Sequence, residues 1–270
     1  MLADDETALR GFCARLLGWS EERAQDIEHA LRSIHLAITH RAALVLLGDT
    51  DPVPIAQALH RRTLGADRPF VVCDPRRLDV PASVRFPMNH ERGPAAFQAA
   101  RGGTLCVRRR RAPHDFSSLL ALVRSPTADV QLVICAAASF YADPLLALPV
   151  PIRVPPLGER ASELPRIVDE YALDALGALG ADAACFADAD RAWVLERAAS
   201  TLPAIETATL RLVALRMSPS VHRAAERLGI SSVALGQWLS RRRVPPARWL
   251  HAASAHARPR PDDASAPRSR

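Results

Sequence analysis

Between Arg41 and Val154 the chain alternates short apolar runs with helical patterns. Ala42–Leu47 (AALVLL), Pro69–Cys73 (PFVVC), Gly103–Val107 (GTLCV), Val130–Ala136 (VQLVICA) and Val150–Val154 (VPIRV) are continuously apolar, as strands covered on both faces of a parallel sheet are. Ile55–Arg62, Pro94–Ala100 and Phe116–Val123 carry helical spacing between them. Strand alternating with helix predicts a parallel α/β sheet. Upstream, Ala24, Ile27, Leu31, Ile34 and Ile38 recur at three- and four-residue intervals and mark one face of a helix over Glu21–Thr39. After Pro155-Pro156 the sequence turns Ala- and Leu-rich, with helices predicted at Glu163–Leu176, Arg191–Ser200 and from Pro203 to about Met217. Beyond about His251 too few apolar residues remain to fold.

The next segment has the pattern of a helix-turn-helix. Ser218 is expected to cap the first helix and Pro219 to occupy its first turn. Ala225 is small where two helices would cross, and Gly229 permits the positive φ of a tight turn. Leu228, Ile230, Leu235 and Trp238 or Leu239 supply the shared core, and Ser231 caps the second helix. In such a motif the second helix enters the major groove. That places Ser232, Val233, Gly236, Gln237 and Ser240 near base edges and Arg241, Arg242 and Arg243 near phosphates, with the cap Ser231 also at the DNA-binding surface. Gln237 is the best reader, because its amide pairs bidentately with adenine. The competing structure is a helical hairpin that only packs on the body, and Gly236 weakens the second helix by up to about 1 kcal/mol.

Charge sharpens this picture. The net charge is +6, but from Val221 onward there are 10 Arg against 3 acids, while residues 1–220 hold 25 Arg against 26 acids. The surplus therefore belongs to the C-terminal end, the pattern expected where that end meets phosphates. All 35 basic residues are arginine; there is no lysine. The chain of 270 residues, 49% hydrophobic, is long enough for one substantial core and a small module. No apolar stretch of membrane-spanning length is present and the N-terminus is acidic, so a cytoplasmic protein without a membrane partner is expected. Cys13, Cys73, Cys106, Cys135 and Cys185 show no metal-ligand spacing, and Cys73, Cys106 and Cys135, inside the apolar runs, are expected to be small buried hydrophobes.

The runs and motifs from about Arg41 to Val244 resemble the bacterial sigma-54-dependent enhancer-binding activators, an AAA+ ATPase domain followed by a Fis-like helix-turn-helix. Ala43–Asp49 (ALVLLGD) resembles the strand into the phosphate loop, and Ile55–His60 with Ala66–Cys73 the helix and strand that follow. Phe97–Val107 (FQAARGGTLCV) is similar to the approach to the Walker B strand, and Pro151–Arg160 (PIRVPPLGER) to the linker into the lid. His222–Leu239 is similar to the Fis-like terminus. The resemblance implies a degenerate AAA+ α/β core at 41–157, a small helical lid at 158–200 and a Fis-like helix-turn-helix at 201–246; spacing and composition add an N-terminal helical segment at 1–40 and a disordered basic tail at 247–270. The resemblance also implies a homodimer through the C-terminal helices, with Ile205–Met217 as the contact.

The family's chemistry is missing where the resemblance would place it. The loop reads Gly48-Asp49-Thr50-Asp51-Pro52-Val53-Pro54: prolines remove amide donors, Asp49 and Asp51 repel phosphate, and the phosphate-binding lysine is absent. The Walker B strand continues into Arg108-Arg109-Arg110-Arg111 instead of an acid pair. Alanines replace the sensor asparagine, the arginine-finger segment is deleted between Tyr141 and Pro149, and only Arg85–Pro94 remains where the sigma-factor loop would lie. Gly48, Asp49, Thr50, Arg108 and Arg109 are thus expected to form an inactive nucleotide site, with Arg108–Arg111 a solvated loop. A grip of these arginines on an acidic partner, DNA phosphate or nucleotide is the alternative. No cofactor, metal or catalytic residue is expected. The sequence predicts a DNA-binding transcriptional regulator with an inactive AAA+ scaffold, neither hydrolysing ATP nor remodelling sigma-54. The alternative is a pseudo-ATPase that binds other regulators or a signalling partner.

Overall fold

The computed structural model describes residues 3–82, 87–125, 127–140 and 150–244. Its strands are β1 (Leu44–Gly48), β2 (Phe70–Cys73), β3 (Met88–His90), β4 (Thr104–Arg108), β5 (Gln131–Ala137) and β6 (Ile152–Arg153). They form one sheet in the order β3-β2-β4-β5-β1-β6, every neighbouring pair parallel. This is the parallel α/β sheet that the apolar runs predict. Only β3 escaped the sequence pattern, because Met88-Asn89-His90 is short and half polar.

Strand side chains alternate between two cores. Leu44, Leu46, Phe70, Val72, Cys106, Val133 and Cys135 enter one. Val45, Leu47, Val71, Cys73, Leu105, Val107, Leu132 and Ile134 enter the other. Helices α1 (Ala3–Leu17), α2 (Ala24–His40) and α3 (Val53–Thr63) cover the first face. They are joined there by α6 (Leu164–Leu179), α7 (Asp188–Arg197) and α8 (Leu202–Arg216). The second face carries α4 (Gly93–Ala99) and α5 (Phe116–Val123). Gly103, just before β4, admits no side chain: a Cβ there would lie 2.1 Å from the Pro69 carbonyl oxygen.

α1 lies within the helical segment expected at 1–40. Leu9, Phe12, Cys13 and Leu16 have helical spacing and are all buried. Its end is tied to the linker after the sheet by Arg160, a buried side chain whose guanidinium donates to the carbonyls of Arg15 and Leu16 at 3.0 and 2.8 Å. These are carbonyls that the helix leaves without partners. Glu163 accepts from Arg160 Nε and from the Trp19 amide, closing the joint.

Two further helices, α9 (Val221–Arg227) and α10 (Ser232–Arg242), complete the described chain. The division expected at residue 201 falls just before α8, which serves two cores. Ile205, Ala208 and Leu212 join the main core, whereas Ala214 and Leu215 pack with Ala224, Ala225 and Leu235. The dimer contact expected from Ile205–Met217 is corrected accordingly: Ile205, Leu212, Val213 and Leu215 are buried inside their own chain.

Among the described residues no helix is long and apolar enough to cross a membrane, and no group of His, Cys, Asp or Glu is placed to hold a metal. Cys13, Cys73, Cys106 and Cys135 are buried and unbridged. Burial pushes the Cys13 and Cys73 thiols up to about 12. The tail expected at 247–270, the segment 141–149 and residues 85 and 86 of the Arg85–Pro94 region lie outside the described residues.

Candidate functional site

Parallel strands deliver their following loops to one edge of the sheet, where ligands of such folds bind. Here that edge brings together Asp51 after β1, Asp74 after β2, and Arg108 to Arg111 at the end of β4. Arg108 Nη2 donates to Asp51 Oδ2 at 2.7 Å and its Nε lies 3.2 Å from both Asp51 oxygens. Its Nη1 reaches the fully buried Asp74 at 3.3 Å, where Arg111 adds a second bond at 3.1 Å. Burial works to lower the Arg108 pKa, but the hydrogen bonds and charge of Asp51, with Asp74 behind, leave it raised.

The expectation of a solvated Arg108–Arg111 loop is therefore corrected. Two of its four guanidiniums hold carboxylates of their own chain, and Arg109 lies over the Phe116 ring at 5.8 Å. The pairing was invisible in the sequence, since Asp51 and Asp74 lie 57 and 34 residues from Arg108. Only the parallel topology makes them neighbours.

The start of α3 is equally closed. Pro52 and Pro54 have no N–H, and the Val53 amide donates to Asp51 Oδ1 at 3.3 Å. A phosphate approaching this helix start would meet a carboxylate already holding the amide and the nearby arginine. Gly48, Asp49 and Thr50 line a cleft of about 160 Å³ with Val154, Leu157 and Thr201, while Arg108 and Arg109 stay outside it. Small-molecule sites typically enclose roughly 300 to 1,000 Å³. The five residues expected at the inactive nucleotide site are thus divided: Gly48, Asp49 and Thr50 line a small cleft, Arg108 joins an internal ion-pair network, and Arg109 lies on Phe116.

At the other end of the chain, α9 and α10 meet across a turn in which Gly229 has φ of 60°. Ala224 and Ala225 are buried at the crossing, with Leu228, Ile230, Leu235, Trp238 and Leu239 in the same core. Ser231 caps α10 as expected, its Oγ accepting from the Ala234 amide at 3.1 Å. The α9 cap is a correction. Ser220, not Ser218, accepts from the Arg223 amide at 3.2 Å, because the helix begins at Val221, beyond Pro219. Ser218 is buried.

The roll of α10 is fixed from inside. Trp238 meets Trp193 of α7 edge-on at 5.7 Å, and the Arg211 guanidinium lies 5.0 Å over its ring. With Leu235, Trp238 and Leu239 turned inward, Val233, Gln237, Ser240 and Arg241 are exposed on the outer side, and Ser232 and Gly236 are half-buried. Ser240 donates to the Gln237 carbonyl at 3.1 Å, whereas the Gln237 amide bonds to no described residue. Arg241, Arg242 and Arg243 are exposed and pair with no described acid. Glu226, the acid of α9, is engaged by Arg223 at 2.8 Å and lies 3.3 Å from His222.

No family model and no curated protein matches this chain. Among solved structures it is similar to NtrX from Brucella abortus. The complex of that protein with ATP is 15% identical, with a TM-score of 0.46, over 85% of this chain and 70% of the other. The complex with ADP is 14% identical, with a TM-score of 0.43, over 88% and 72%. A further NtrX structure from the same organism is 14% identical, with a TM-score of 0.41, over 88% and 72%. The α/β assignment rests on the sheet itself.

Proposed function

We propose that this chain is a DNA-binding transcriptional regulator whose α/β body is a scaffold without ATP hydrolysis or sigma-54 remodelling. The observation that carries the reading is the outer side of α10. It presents an uncommitted Gln237 amide beside three arginines that have no acidic partner among the described residues. Unpaired guanidiniums beside a capped helix of 11 residues supply phosphate contacts that position it, and side chains on its outer side reach base edges. Ser231 and Ser232 stand at the N-terminal end of that surface, Val233 and Gln237 at its centre, and Ser240 with Arg241 to Arg243 at its far end.

Selection of bound fragments from genomic DNA at near-physiological salt tests this reading, with an enriched motif as the expected result. Gln237→Ala should shift the motif, whereas Arg241→Ala should weaken binding to all sequences alike. Failure to enrich any sequence would sink the proposal. For the body, titration calorimetry with ATP and Mg²⁺ should register no binding, because Asp51 stands where phosphate would enter and no lysine is present.

The docking of Trp238 on the body favours a second reading, in which α9 and α10 only pack and the body binds another regulator. Its mark would be capture of a regulator protein by the full chain, undiminished by substitution of Arg241 to Arg243, without any enriched DNA.

A further inference from the structure

The sequence singles out Gln237 as a base reader, but the structure adds an apolar side chain beside it. Of the large apolar residues on α9 and α10, Val233 is the one left exposed, at 67%. Leu228, Ile230, Leu235, Trp238 and Leu239 all turn into the core. The fold does not need a valine at 233. The position is the second of the helix, its side chain is two-thirds exposed and is not among the residues of the α9–α10 core, and a β-branched residue brings no helix preference.

Val233 precedes Gln237 by four residues, one turn, so the two stand on the same side of α10. At about 1.5 Å per residue they are about 6 Å apart along the axis. Bases are stacked about 3.4 Å apart, so this span covers one or two base-pair steps. Gln237 is suited to adenine N6 and N7, and the one apolar group displayed in the major groove is the thymine C5-methyl. Arg241 lies about 12 Å along the axis from Val233, comparable with the width of that groove, which leaves the arginines at its phosphate rim.

We propose that Val233 reads a thymine methyl group one or two base pairs from the adenine paired with Gln237, making α10 specific for a short A·T-containing step. This deepens the DNA-binding reading and rests on it. The Trp193–Trp238 contact supports it by fixing which side of α10 faces outward.

The test uses the full chain and the duplex most enriched from genomic DNA. Thymines within two base pairs of each adenine are replaced one at a time by uracil, which removes only the methyl group, and affinity is read by fluorescence anisotropy. One replacement should weaken wild-type binding about fourfold, the effect of one buried methyl-sized group. The same replacement should leave Val233→Ala unchanged, and this variant should unfold at the wild-type temperature. The proposal is overturned if no thymine shows the loss, or if Val233→Ala still shows it in full. In both cases an enriched duplex still stands and the DNA-binding reading survives. The absence of any enriched duplex would instead remove that reading, and this proposal with it.

Discussion

Two runs of arginine distinguish the ends of this molecule, Arg108–Arg111 at the sheet edge and Arg241–Arg243 at the end of α10. In sequence they look alike. In the structure Arg108 and Arg111 hold Asp51 and a fully buried Asp74, while Arg241 to Arg243 stand exposed without an acidic partner among the described residues. The difference lies in what each run follows. A strand end in a parallel sheet is delivered to an edge where other strands place their own loops. The end of α10 packs apolar side chains on the body but its arginines meet no described acid there, and the acid of α9 is already engaged. Like composition therefore leads to a structural ion-pair network at one end and an available cationic surface at the other.

The contrast can be broken at several points. The largest effect is expected for Arg108→Ala, which leaves Asp74 buried with one fewer partner and Asp51 without its bidentate bond. Stability should fall by about 3 kcal/mol, the low end for losing one member of a buried pair, since Arg111 remains on Asp74. Thermal unfolding checks this, and DNA affinity of the folded variant should not change.

Arg243→Gly should give effects of opposite sign. Arg243 has φ of 51°, a left-handed conformation that costs an L side chain roughly 1 kcal/mol, so glycine should stabilise the fold by up to about that amount. The same change should weaken DNA binding and lower its salt slope by about 0.9, the share of one phosphate contact.

The smallest change is expected for Asp51→Asn. This side chain is half exposed, so loss of its charge should cost about 1 kcal/mol or less. Calorimetry should still show no ATP binding, because the prolines of the loop remain.

Much of the fold was legible in the sequence for physical reasons. Strands covered on both faces must be apolar throughout, which exposed five of the six, and β3 was hidden because three half-polar residues make no run. Helix spacing located α2, α3 and α8, and the small and capping residues Ala225, Gly229 and Ser231 located the α9–α10 turn. What could not be read depends on distant pairing. The acids facing Arg108 are brought by topology, and α8 is a core helix because it is enclosed by α6, α7 and α9. The α9 cap was misplaced because Ser218 and Ser220 flank the same proline, and Pro219 favours whichever serine precedes it.

The salt dependence of DNA binding by the full chain tests the central contrast most directly. Log affinity is measured against log salt for the wild type, for Arg110→Ala, and for a triple variant with Ala at 241, 242 and 243. Each phosphate contact contributes about 0.9 to the slope, so the triple variant should be shallower by about 2.7 with its unfolding temperature unchanged, and Arg110→Ala should match the wild type. An unaltered slope in the triple variant, or a loss confined to Arg110→Ala, would contradict the assignment of the phosphate contacts to the end of α10.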